Sequence, residues 1–139
     1  PIMDLYDNSI IAYELSFKNN NQLVFNMFDK AIQKYPSAKP IFHSDRGFQY
    51  TNNTFKSKLE KAEMTQSMSR VGRYIDNGPM EGFFGTLKTE MFYGKTFKSL
   101  EELRDKIVEY IKFYNEERLQ KRLGCMAPLE YRNHASKIA

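Results

Sequence analysis

Two carboxylates in this chain have the residue types and settings needed to hold a hard cation. Asp45 lies in Ile41-Phe42-His43-Ser44-Asp45-Arg46-Gly47, and Glu81 lies in Asp76-Asn77-Gly78-Pro79-Met80-Glu81-Gly82-Phe83-Phe84, with 35 residues between the two acids. The first follows a short apolar run that reads as a buried strand, and the second opens a helix. Carboxylates placed this way can hold a divalent metal for phosphodiester chemistry. A donor set of oxygens alone favours magnesium or manganese. Zinc is poorly supported by two His and one Cys, and no glycine-rich phosphate loop is present.

Each acid also has a plainer reading. Asp45 fits a turn-forming Asp in an Asp-x-Gly loop, in which Gly47 lets the backbone turn sharply. Glu81 fits a capping Glu, with Gly78 as N-cap and Pro79 as first helical residue. The neighbours of Glu81 favour a site. Lys88 falls two turns later on the same helix face, Gly85 lies between them without a side chain, and Asn77 extends the stripe if the helix starts early. An acid and a lysine flanking an open face suit a metal beside a phosphate backbone, and a solvated Lys88 is the alternative. Arg70 and Arg73 lie in a basic loop, residues 70–75, between a strand and this helix. His43 ends its strand and reads as a structural histidine, with a proton carrier as the alternative.

The elements that must position these residues follow from periodicity. Ile2, Met3 and Leu5-Tyr6, then Asp7-Asn8-Ser9, then Ile10-Ile11-Ala12-Tyr13 and Leu15 predict a hairpin over residues 1–16. Asn19 to Asn21 cap a helix whose apolar residues Leu23, Val24, Met27, Phe28, Ala31 and Ile32 recur until Pro36 stops it. After the strand before Asp45, residues 51–53 cap a second helix with Phe55, Leu59 and Ala62 on one face, and residues 65–69 form a short strand. The helix carrying Glu81 runs over about 79–92, with Phe83, Phe84, Leu87 and Met91 as its core face. Ser99-Leu100-Glu101-Glu102 is a capping box. It opens a helix with Leu100, Leu103, Ile107, Tyr110, Ile111 and Tyr114 on one side, and a short helix over about 128–133 closes the chain. The order is strand-strand-helix-strand-helix-strand-helix-helix, a mixed α/β arrangement in one domain over residues 1–139.

Composition sets the outer limits. The 139 residues are 41% hydrophobic and 27% charged, with 11 Phe and 9 Tyr to fill a core. A net charge of +4 permits a polyanionic partner. The single Cys125 excludes an internal disulfide and suggests a reducing compartment. Neither a membrane-spanning run nor a signal pattern is present, so a cytoplasmic protein with no membrane partner is expected. A chain beginning at Pro1 suggests a fragment.

The blocks His43-Ser44-Asp45-Arg46-Gly47-Phe48-Gln49-Tyr50, Gln66-Ser67-Met68-Ser69 and Asp76 through Glu90 resemble OrfB-type transposases of bacterial insertion sequences. Tyr114-Asn115-Glu116-Glu117-Arg118 with Gly124, Pro128, Glu130 and Tyr131 is similar to that family's closing motif. The resemblance covers nearly the whole chain. It implies a ribonuclease H-like mixed sheet with flanking helices, as in retroviral integrase, and a triad of two aspartates and a glutamate. By motif match Asp45 is the second aspartate and Glu81 the glutamate. The first strand and its aspartate are expected to be missing, with Asp4 as a candidate substitute, which would leave this chain inactive alone. The implied chemistry is two-metal DNA cleavage and strand transfer with Mg2+ or Mn2+, the ions about 4 Å apart. Implied partners are transposon ends and target DNA, contacted through Lys88, Asn77, Arg70 and Arg73, in a bacterial cytoplasm at the nucleoid. Arg118, Lys121, Arg122, Arg132 and Lys137 are further phosphate-facing candidates, with a solvated surface as the equal alternative. An exposed sheet edge suggests a homodimer. The alternatives are a catalytically dead DNA-binding or assembly fragment and a ribonuclease H-like nuclease.

Overall fold

The computed structural model describes residues 1–70 and 77–137. The fold is mixed α/β, with six α-helices and small sheets among the described residues. The chain divides into two compact units, residues 1–2 with 12–78 and residues 3–11 with 79–139.

In the first unit, α1 (Asn21–Lys34) starts where the Asn20 side chain accepts from the Leu23 amide at 3.1 Å, one of the donors that a helix start leaves unpaired. Its Val24, Met27 and Phe28 are buried. The strand β3 (Ile41–Ser44) follows, then two helices, α2 (Phe48–Thr51) and α3 (Asn53–Lys61), then β4 (Thr65–Met68). The helices form the crossover that a parallel pair requires. β3 and β4 run parallel in the register Ile41 with Thr65 through Ser44 with Met68. The core gathers Ala12, Val24, Met27, Phe28, Phe55 and Leu59, with Phe25, Phe42 and Tyr50 packed against it. Phe55 is wholly buried, and the rings of Phe28, Phe42 and Tyr50 meet it edge-on at 5.3–5.5 Å. That geometry adds about 0.5–1.5 kcal/mol per ring pair beyond area burial.

β1 (Ile2–Met3) and β2 (Ile10–Ala12) form a second two-stranded sheet. Their turn belongs to the second unit and is tight: the Asp4 amide donates to Ser9 O at 2.9 Å, and Asn8 takes φ 62°, a conformation Asn tolerates.

The helix carrying Glu81 is α-helical only over α4 (Gly78–Leu87) and continues as a wide π-helical turn, Lys88–Phe92, closed by the Tyr93 amide on Lys88 O at 2.7 Å. Thr86 and Thr89 donate their hydroxyls to Gly82 O and Gly85 O, each at 2.9 Å, a back-bonding that loosens helical turns. Phe83 and Met91 are buried as expected from their face, but Phe84 is 40% exposed. The second long helix, α5 (Leu100–Glu116), buries Tyr110, Ile111 and Tyr114. Leu100, placed on that face by periodicity, is exposed because it stands at the first helical position, ahead of the packed turns. Ser99 Oγ accepts from the Glu102 amide at 3.1 Å, while Glu102 reaches the Lys98 amide rather than that of Ser99, a capping box displaced by one residue. The last helix, α6 (Pro128–Ser136), is longer than its apolar pattern suggests.

Amide and charged side chains tie this unit together. Asn115 accepts from the Ile10 amide at 2.8 Å and donates to Ile10 O at 3.0 Å, which satisfies the strand backbone as a neighbouring strand would. Arg132 of α6 donates to Asp4 at 2.7 Å, to Ser9 Oγ at 3.1 Å and to the fully buried Asp7.

Candidate metal and DNA-binding residues

Asp45 is the first residue beyond the carboxyl end of β3, and it is exposed. In α/β folds this is where ligands gather. One carboxylate oxygen accepts from the Gly47 amide at 2.8 Å, which fixes the side chain against its own loop. A methyl at Gly47 would lie 3.0 Å from that oxygen and 3.1 Å from Gln49 Oε1, so both side chains would have to give by a few tenths of an ångström. The corner is tied to β4 through Ser69, whose amide donates to Ser44 O and whose carbonyl accepts from Arg46 Nε, each at 2.9 Å. His43 bonds Ser67 Oγ at 3.0 Å through Nδ1 and Ser69 Oγ at 3.2 Å through Nε2. Burial raises the Tyr50 phenol above its usual range, and the charge of Asp45 adds to that rise.

Glu81 stands exposed in the first turn of α4. A methyl added at Gly78, Gly82 or Gly85 would meet nothing within 4 Å. Lys88 is exposed at the start of the wide turn, and Asn77 is half-buried just before α4. Arg70 is exposed beyond β4, and Arg73 lies outside the described residues. Asp45, Arg70 and Asn77 belong to the first unit, Glu81 and Lys88 to the second. Among the described residues, no group of three or more His, Cys, Asp or Glu is gathered for a metal. The donor chemistry nonetheless fits a hard cation. Asp45 offers an anionic oxygen ligand at an exposed corner, oriented by a backbone amide, and Glu81 offers another with open space beside it.

Two basic residues read as phosphate-facing have other work. Arg118 is committed to Glu90 through Nε at 3.0 and 2.8 Å and Nη2 at 2.6 Å, and Tyr110 donates to the same carboxylate at 2.8 Å. The guanidinium holds the Glu90 carboxyl below the usual range, while burial, then Glu90, pushes the Tyr110 phenol up. Arg132 serves Asp4 and Asp7, so Asp4, the candidate stand-in for a missing aspartate, is half of an ion pair. Charge sign alone hid these pairings, because the partners lie 28 to 128 residues apart in sequence. Among the described residues no helix is long and apolar enough to cross a membrane.

Residues 1–74 match the model of the family described as Integrase core domain, and residues 81–135 match a second model of the same description. A Haemophilus influenzae protein named "Uncharacterized transposase-like protein" is 44% identical over 97% of this chain and 62% of its own length. An Escherichia coli protein named "Putative transposase InsK for insertion sequence element IS150" is 42% identical over 96% of this chain and 47% of its own. The "Transposase for insertion sequence element IS904" of Lactococcus lactis is 32% identical over 96% of this chain and 54% of its own. The chain thus spans about half the length of these relatives.

Proposed function

The chain belongs to the integrase core domain family, and on that premise we propose that it is the metal-dependent catalytic core of an insertion-sequence DNA transposase. The observation that carries this reading is Asp45, an exposed carboxylate at the carboxyl end of β3, inside a chain whose relatives are named as transposases. Asp45 and Glu81 are the metal-holding acids, together with a further aspartate that the family resemblance implies. The cofactor is Mg2+ or Mn2+, which when bound supplies activation of a water or 3′-hydroxyl and stabilisation of the leaving oxygen. Lys88, Asn77, Arg70 and Arg73 contact DNA phosphates, which position the strand without reading its sequence. The finer fold is ribonuclease H-like. A second copy of the chain is a further partner, since the two-stranded β3–β4 sheet has strand edges to offer.

Calorimetric titration with Mn2+ tests the two acids directly. Asp45→Asn and Glu81→Gln are each expected to weaken Mn2+ binding by at least about tenfold, the lower end of what loss of even an outer-sphere partner costs. Duplex DNA binding that is salt-dependent but indifferent to both substitutions and to Mn2+ would instead favour an assembly or DNA-binding role.

A further inference from the structure

We propose that Ser69 is a positioning residue that fastens the corner bearing Asp45 to β4. The proposal rests on the reading of Asp45 as a metal ligand. The parallel ladder ends at Ser44 with Met68, so Asp45 and Ser69 are the first residues beyond it on each strand. Ser69 continues the attachment with all of its polar groups. Its amide donates to Ser44 O at 2.9 Å, and its carbonyl accepts from Arg46 Nε at 2.9 Å. Its hydroxyl donates to Ser44 O at 3.3 Å and meets His43 Nε2 at 3.2 Å. The residues on both sides of Asp45 are therefore held by one buried serine. The Gly47 amide orients the carboxylate within its loop, but that bond is local and leaves the loop free to move as a body. Ser69 fixes the loop to the sheet.

The hydroxyl also joins the ring to the corner. A run of bonds leads from Ser67 Oγ to His43 Nδ1 at 3.0 Å, from His43 Nε2 to Ser69 Oγ at 3.2 Å, and from Ser69 Oγ to Ser44 O, the residue before Asp45.

Ser69→Ala deletes the hydroxyl bonds and keeps the backbone ones, while Ser69→Thr restores a hydroxyl. Two readouts are taken on the 139-residue chain: amide hydrogen exchange without metal, and Mn2+ affinity. Ser69→Ala is expected to speed exchange at Arg46 and Gly47, leave Leu59 in α3 unchanged, and weaken Mn2+ binding about tenfold, as loss of an outer partner of a ligand does. Ser69→Thr is expected to return both readouts toward the parent. Unchanged exchange at Arg46 and Gly47, an equal loss of protection at Leu59, or no recovery in Ser69→Thr would each overturn the proposal. If Asp45→Asn leaves Mn2+ affinity unaltered, the metal reading is what fails, and exchange at Gly47 still decides whether Ser69 holds the corner.

Discussion

In the unit of residues 1–2 and 12–78, three aromatic rings close edge-on around a buried Phe55, whereas in the unit of residues 3–11 and 79–139 the central ties are an arginine between two aspartates and an amide clamped on a strand. Apolar packing tolerates imprecision, since dispersion and water exclusion are not directional. A buried ion pair does not, because an unpartnered charge in a low dielectric is costly. The two halves of the molecule should therefore fail in different ways.

The sharpest test pairs Phe55→Ala with Arg132→Met in urea unfolding. Phe55→Ala is expected to cost about 3–5 kcal/mol through lost burial and a cavity. Arg132→Met strands the buried Asp7 and is expected to cost a similar amount, about 3–5 kcal/mol. The difference lies in rescue. Adding Asp7→Leu to Arg132→Met should recover part of that loss by removing the stranded charge. No single change should so readily refill the Phe55 cavity. A double variant no more stable than Arg132→Met alone would erase the distinction.

Smaller effects separate the surroundings of the two acids. At Gly47 a methyl would press on Asp45 and Gln49, while at Gly85 it would meet nothing. Gly47→Ala is expected to lower both stability and Mn2+ affinity. Gly85→Ala should stabilise α4 by about 0.5–1 kcal/mol, the usual gain on removing a helical glycine. Chemical denaturation with Mn2+ titration reads both, and a stabilising Gly47→Ala would break the contrast.

The smallest expected effect is a pH dependence in the second unit. Arg118 lowers the folded-state pKa of Glu90. Its contribution to stability is thus present above the unfolded glutamate value of about 4.3 and is lost as pH falls from there through the lowered folded value. Glu90→Gln should flatten the acid limb of a thermal-unfolding profile over that window. An unchanged slope would mean the pair contributes little.

Much of this was legible in the sequence because it is written in local spacing. The 3.6-residue recurrence of Val24, Met27, Phe28, Ala31 and Ile32 marks α1, and Asn20 and Ser99 mark helix starts by their own chemistry. Asp45 and Glu81 stood out for the same reason, each announced by neighbours within a few residues. The short helix α2 is not legible because Phe48-Gln49-Tyr50-Thr51 has no helical period of its own. The wide turn is not legible either, because π and α turns share a composition. The pairings of Arg118 and Arg132 are not legible, because a free basic residue and a paired one look alike until the chain folds.

The wide turn at residues 88–92 has a mechanical consequence. Each residue advances an α-helical face by about 100°, so a turn with one residue to spare resets the azimuth of all that follows it. Glu90 is thereby delivered to Tyr110 of α5 and to Arg118 just beyond its end, without dragging Glu81 round with it. The rod has two independently aimed ends, and sequence drift at its anchored end need not steer the acid at the other.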